Sequence, residues 1–239
     1  MIYRNTLLSI TLYFISFTLS AQDIWSPLES MKIKSISQTE ISNDGKSIAY
    51  VVREPIMEGK KSEYLSQIWV TDIESKENIQ YTFNQKSSSS PKFSPDGKKI
   101  AFLSSRSGKN QIWIMNTLGG EARMLTKEKK GVRSIKWSPD GKMISFLKSD
   151  DDTEDEIKSK ENKTDVILVD KNFKYSHIYS YHLDEDTVIK ITSGNYSVNS
   201  FDYSPNGKKI IFSHQEDTNI NTGFILSLIH ISEPTRRTI

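Results

Sequence analysis

Cysteine is absent from the 239-residue chain. That removes disulfides, thiol nucleophiles and lipid attachment at a signal-cleavage cysteine. Charge of one sign is lacking too: the formal net charge is +2. A balance so near neutral gives neither nucleic acid nor an anionic membrane surface an electrostatic reason to bind. No G-x-S-x-G is present to form a nucleophile elbow, and Gly194-Asn195-Tyr196-Ser197 comes nearest and fails. H-E-x-x-H and phosphate-cradling glycine patterns are missing as well. No residue is therefore assigned a catalytic, cofactor-binding or metal-binding role, and no cofactor is expected. His177 and His182 read as partly exposed sheet histidines.

Long apolar runs are also scarce. The longest, Leu7 to Leu19, is too short for a bilayer span of about 20 residues. Arg4 precedes it, and Ser20-Ala21 then Gln22-Asp23 follow. This is the order of a secretory signal peptide. The expectation is residues 1–21 as a signal peptide cut after Ala21, an exported protein, and no membrane contact after cleavage.

What is present is a repeat. Ser90 to Thr126 reads SPKFSPDGKKIAFLSSRSGKNQIWIMNTLGGEARMLT. Turn chemistry divides it into four strands, Lys92 to Ser94, Lys99 to Ser104, Gln111 to Asn116 and Glu121 to Thr126. In the first turn Pro95 presets φ, Asp96 tolerates the third position, and Gly97 takes the positive φ that closes a bulged hairpin. Ile100 and Phe102 face one side of the second strand, Ala101 and Leu103 the other. Both faces are apolar, so the sheet needs cover on both.

Copies of the unit supply that cover. The turn recurs at Asn43-Asp44-Gly45, Pro139-Asp140-Gly141 and Pro205-Asn206-Gly207. Gln67-Ile68-Trp69-Val70 matches Gln111-Ile112-Trp113-Ile114, and His177-Ile178-Tyr179-Ser180-Tyr181 stands in the same place later. The interval from Gly97 to Gly141 has the length of one propeller blade, about 40–45 residues. Period, strand count and two-sided burial predict an all-β chain, a partial β-propeller of about four blades with four antiparallel strands each. The blades fall at about 36–83, 87–126, 132–192 and 196–214 onward, within a propeller over residues 36–225.

Other stretches take their reading from this frame. Residues 22–35 form a leading segment with helix-start character at Ser26-Pro27. Arg53 to Ser66 reads as a polar loop of blade one, and Ser149 to Asn172 as an insertion in blade three. The acidic run Asp150 to Glu156 suggests hard-cation ligation, but no glycine supplies the sharp turn and lysines follow directly. The reading is a solvated, mobile loop, with a strand at Asp165 to Asp170. Trp69, Trp113 and Trp137 could be stacking platforms, yet Trp69 and Trp113 share a repeat position, which favours packing between blades. Asp44, Asp96 and Asp140 read as turn residues because Asn206 fills the fourth copy. Arg53, Arg106 and Arg123 could anchor a peptide carboxylate, and nothing singles one out.

The start WSPLESMKIKSISQTEISNDGKSIAYVV and the later SHIYSYHLDEDTVIKITSGNYSVNSFDYSPNGKKIIF resemble exported serine peptidases of the prolyl oligopeptidase family. The branch they resemble is that of the acylaminoacyl and dipeptidyl peptidases, over Ile24 to His214. The resemblance implies a substrate-gating propeller followed by an α/β-hydrolase domain that hydrolyses short peptides. No counterpart of that domain is found in these residues, so this chain by itself is expected to be inactive. The S-P-D-G-K turn also occurs in Tol-system periplasmic propellers, which leaves a partner-binding, non-enzymatic propeller as the alternative. From Leu226 on, LSLIHISEPTR resembles translated sequencing adapter, so residues 226–239 are expected to be a non-native tail with no strand signal.

Overall fold

The computed structural model describes residues 26–58, 61–164, 174–216 and 228–232. The signal-peptide reading and the strand at 165–170 lie outside them. The chain divides into two compact units, residues 1–33 and residues 34–239. In the first, helix α1 (Pro27–Met31) starts where the sequence placed a helix start. Ser26 caps it by accepting from the Glu29 N–H at 3.1 Å, and Pro27 sits where its missing N–H costs nothing.

The second unit holds four antiparallel sheets in chain order. Sheet one is β1 (Ser35–Ile41), β2 (Ser47–Glu58), β3 (Lys61–Asp72) and β4 (Asn78–Gln80). Sheet two is β5 (Ser88–Phe93), β6 (Lys99–Ser104), β7 (Gln111–Asn116) and β8 (Arg123–Met124). Sheet three is β9 (Arg133–Trp137), β10 (Met143–Ser149), β11 (Ser176–His182) and β12 (Thr187–Lys190). Sheet four pairs β13 (Ser197–Tyr203), β14 (Ile210–Gln215) and β15 (Leu228–Ser232). Each is a meander, so neighbours in sequence are neighbours in space.

Three apolar clusters join the four sheets, one per junction. Ala49, Val51, Ile68 and Val70 of the first meet Phe93, Ile100, Phe102 and Met115 of the second. Leu103, Ile112 and Ile114 meet Ile135, Ile144 and Phe146. Leu147 and Ile178 meet Val198, Phe201, Ile210 and Phe212. Consecutive residues of one strand thus serve opposite junctions: Phe102 the first, Leu103 the second. Full burial of such a side chain is worth about 1.5–3 kcal/mol, and the second and third sheets collect it on both faces. The aromatic residue ahead of each S-x-D/N-G turn leans on the preceding sheet. Phe93 shares a cluster with Ala49, Trp137 packs on the cluster containing Ala101, and the Tyr203 hydroxyl lies 2.6 Å from Ser145 Oγ. Ile41 holds that position in the first sheet and is exposed.

Three expectations are corrected. Arg53 to Ser66 is no loop: β2 and β3 pair continuously through it, from Ser47↔Asp72 to Glu58↔Lys61, as one long hairpin. The acidic run is no mobile loop either. Its last three residues open helix α2 (Glu154–Glu161), whose start is closed by a capping box between Thr153 and Glu156. Lysines neutralise the run: Lys190 on Asp150, Lys148 on Asp151, Lys130 and Lys160 on Asp152, and Lys174 on Glu156. Lys130 and Lys160 push the Asp152 carboxyl down to about 2. Lastly, Leu228–Ser232 forms a strand beside β14, with Ile210↔Ser232 and His214↔Leu228. A free β edge accepts any alternating segment, so this pairing is no signature of a native repeat.

Buried polar staples hold β7 to the chain that follows β8. Thr126 donates to Gln111 Oε1 at 2.7 Å and accepts from the Ile112 N–H at 2.9 Å. Thr126→Val keeps the shape, strands the Ile112 N–H and leaves Gln111 Oε1 only the Glu128 N–H. It should destabilise the chain by about 1–3 kcal/mol, read as a lower urea midpoint at unchanged slope; an unchanged midpoint would remove the staple's role.

Candidate functional site

Each blade has two ends of different character. At one end lie the S-x-D/N-G turns, built four times to one plan. Ser42 donates to Asp44 at 2.6 Å and accepts from the Ser47 N–H at 2.9 Å, while Asp44 accepts from the Lys46 N–H. Ser94 with Asp96, Ser138 with Asp140, and Ser204 with Asn206 repeat the arrangement. The hydrogen bond from Ser42 and the Lys46 N–H hold Asp44 below the usual carboxylate range, and Asp96 follows suit with Ser94 and Lys98. Burial works to raise Asp140, but Ser138 and the Lys142 N–H prevail and it too is lowered. These carboxylates stay ionised and serve the turn, as Asn206 indicated.

At the opposite end, in blades one to three, a staple joins Gln67, Gln111 or His177 of the third strand to a threonine 15 residues on. Thr82 donates to Gln67, and Gln67 donates to the Asn84 carbonyl, both at 2.5 Å. Gln111 repeats the pattern with Thr126 and the Glu128 carbonyl. In blade three the glutamine is replaced by His177, whose Nδ1 lies 3.4 Å from Thr192 Oγ1. The sequence reading of His177 as partly exposed is corrected, since only 1% of it is exposed. Burial and the nearby Lys190 hold its pKa below the usual imidazole value, against the pull of Asp150 and of the Gly194 carbonyl. Gly194 is needed here: its φ is +136°, and a Cβ would come within 2.7 Å of the Tyr196 ring. Gly194 to Ser197 is thus a packed turn into β13, not a nucleophile elbow.

This end also carries the elaborated connections, the long β2–β3 hairpin and the α2 insertion. Lys148 anchors the insertion, bonded to Glu128 at 2.7 Å and Asp151 at 3.0 Å over the Tyr179 ring. Burial opposes its charge, but the two carboxylates outweigh that and raise its pKa. The arginines part company. Arg53 stacks on Tyr64 at 3.8 Å, and Arg106 lies over Trp113 at 4.5 Å and bonds Ser104. Arg123 reaches Tyr181 instead. Trp113 packs at the first junction, and Trp137 donates its Nε1 hydrogen to the Lys92 carbonyl at 3.0 Å. Both are packing residues. Among the described residues no group of three or more His, Cys, Asp or Glu could hold a metal ion.

A recess lies along the first strands. A cavity of about 540 Å³ is bounded by β5, β9, β13 and β14, with Lys92, Lys136 and Asp202 at its polar side and Ile135, Phe201 and Phe212 at its apolar side. Ion pairs cross between blades here, Lys92 with Glu40 and Lys136 with Asp202 at 2.5 Å. Each first strand is the edge of its sheet, and β1, β5 and β9 bulge at Gln38, Ser90 and Ser134, with φ near +53°. No sequence signal marked these residues, because the bulge sits four positions ahead of the turn in an unremarkable polar stretch.

Four successive meanders packed face to face through alternate residues leave one architecture. These are blades of a β-propeller. Residues 62–172 match the tricorn protease N-terminal β-propeller domain. The uncharacterized peptidase YuxL of Bacillus subtilis (strain 168) is 34% identical over 76 residues, 32% of this chain and 11% of that protein. An acylaminoacyl peptidase solved with Z-Gly-Gly-Phe-chloromethyl ketone superposes with a TM-score of 0.64 at 20% identity, over 89% of this chain and 33% of that one. TolB from Acinetobacter baumannii does so with 0.56 at 24% identity, over 84% and 44%. The chain thus spans less than half the length of each of these proteins. The propeller fold accounts for the repeated staples and turns alike: each blade solves the same closure problem with the same residues.

His177 gives the propeller a pH signature. An imidazole held neutral by burial contributes stability above its ordinary pKa of about 6.5, and that stability is lost as pH falls toward and through the lowered value. His177→Gln installs the residue used in blades one and two. The melting temperature of the unsubstituted chain should drop from pH 7.5 to 5 more steeply than that of the variant; parallel profiles would rule His177 out as the cause.

Proposed function

We propose that this chain is the substrate-gating propeller of an exported serine peptidase of the prolyl oligopeptidase family, in the acylaminoacyl and dipeptidyl peptidase branch. The parent protein would hydrolyse short peptides with an α/β-hydrolase domain lying outside these residues. The match to a protease propeller over residues 62–172 carries the reading. The partial identity with a Bacillus peptidase supports it. So does the division of labour between blade ends: tight turns at one, elaborated connections at the other, and a recess along the first strands. In such an enzyme a propeller contributes access rather than chemistry. The buried and turn-bound side chains found here suit that part, since none is poised as a nucleophile or base.

The alternative is a periplasmic propeller of the TolB kind that binds protein partners. The TolB superposition over 84% of the chain favours it. Export is common to both readings, with residues 1–21 as the signal peptide. On either one, residues 226–239 are a tail of adapter origin, and β15 holds the place of the native third strand of blade four.

Genomic amplification across the codons for Asn221 to Arg236 tests all of this together. The peptidase reading expects further blades and then G-x-S-x-G in frame; a stop after a closing blade would replace it with the TolB-like reading. A native codon run for Leu226 to Arg236 would overturn the adapter origin. The 239-residue chain itself should leave aminoacyl and dipeptidyl chromogenic substrates uncleaved. Turnover abolished by a fluorophosphonate would place a serine nucleophile within it.

A further inference from the structure

The bulges on the inner strands differ in how their backbone is satisfied. Gln38, Ser90, Ser134 and Ser200 each stand four residues ahead of the turn serines Ser42, Ser94, Ser138 and Ser204. Between blades one and two, the Gln38 side chain reaches across and accepts from the bulged Ser90 N–H at 2.7 Å. Between blades two and three the same place is taken by Ser90, whose side chain is shorter by two heavy atoms of reach. Among the described residues no hydrogen bond joins it to Ser134. The cavity of about 540 Å³ opens where this bridge is missing, and Ser90, Ser134 and Ser200 all border it.

The lining is mainly apolar and carries its hydrogen-bond donors along one side. It offers the bulge backbone, four serine hydroxyls, of which those of Ser200 and Ser213 bond each other at 2.8 Å, and the ammonium groups of Lys92 and Lys136. Each ammonium has three N–H donors, and the ion pairs to Glu40 and Asp202 use one apiece. Asp202 is the single carboxylate of the lining, and Lys136 engages it at 2.5 Å. A ligand entering this recess therefore meets donors seeking acceptors, with Ile135 and Phe201 beside them for apolar contact. Its volume falls in the range of small-ligand sites, about 300–1,000 Å³.

We propose that this recess, bounded by the inner strands of blades two, three and four, binds the C-terminal carboxylate of a short peptide. The carboxylate takes the place that the Gln38 side chain fills one junction earlier, and the residue before it rests on the apolar side. The proposal deepens the peptide-handling reading above and rests on it for the ligand class.

Isothermal titration of the full chain with acetyl-trialanine, its C-terminal amide and acetate tests it. The free acid should bind at least about tenfold more tightly than the amide, which lacks the charged acceptor, and than acetate, which lacks the side chain resting on the apolar side. Ser90→Gln rebuilds the missing bridge in a backbone conformation that Gln38 already adopts. It should weaken binding about tenfold without lowering the melting temperature. Should that variant not fold, Lys136→Gln should bring the same loss. Equal binding of acid and amide, equal binding of acid and acetate, no binding by the unsubstituted chain, or undiminished binding by the folded variants would each overturn the site. The genomic result is separate: peptide binding with no hydrolase downstream keeps the site and removes the peptidase, and a hydrolase with no binding does the reverse.

Discussion

The second and third sheets of this propeller are apolar on both faces, and neither can dry both faces alone. That constraint shapes the rest. Ile100 and Phe102 turn to blade one and Leu103 to blade three, so β6 is a strand only because two neighbours exist. Removing one blade would expose a full sheet face, not a few side chains. This is why the meanders stack in chain order and why, in blades two to four, the residue before the turn is an aromatic that reaches into the preceding blade. Ile41, with no preceding blade among the described residues, remains exposed at the equivalent point.

Stacking leaves the blade ends to be closed with polar groups, and the same solution is repeated with small substitutions. Aspartate gives way to Asn206 in the fourth turn, glutamine to His177 in the third staple, and Gln38 to serine in the inner bulges. Each exchange keeps the geometry and changes the chemistry. Asn206 removes a charge with little other effect. His177 places a titratable ring inside the protein. Serine at position 90 withdraws a side chain and leaves a recess.

Much of this was legible in the residues. S-x-D/N-G followed by alternating apolar residues gave every second strand, since turn chemistry is local and needs no distant partner. Gln111 to Asn116 and Lys99 to Ser104 stand where the pattern put them. Other features depended on distant groups. The acidic run Asp150 to Glu156 looks like a solvated loop until lysines from four other places, Lys130, Lys148, Lys174 and Lys190, close on it. Arg53 to Ser66 looks polar because its hairpin projects beyond the blade, where both faces meet water. The inner bulges leave no mark, as any polar residue can follow the strand there.

Residue order alone sets the repeat, its strand count, the position of each tight turn and the need for cover on two faces. All of these follow from backbone preferences and alternation within about ten residues. Packing across the fold sets which polar groups are buried, makes His177 a staple rather than a surface residue, and opens the recess. The recess turns on the reach of one side chain across a junction between strands some fifty residues apart, a distance over which local preference carries no information.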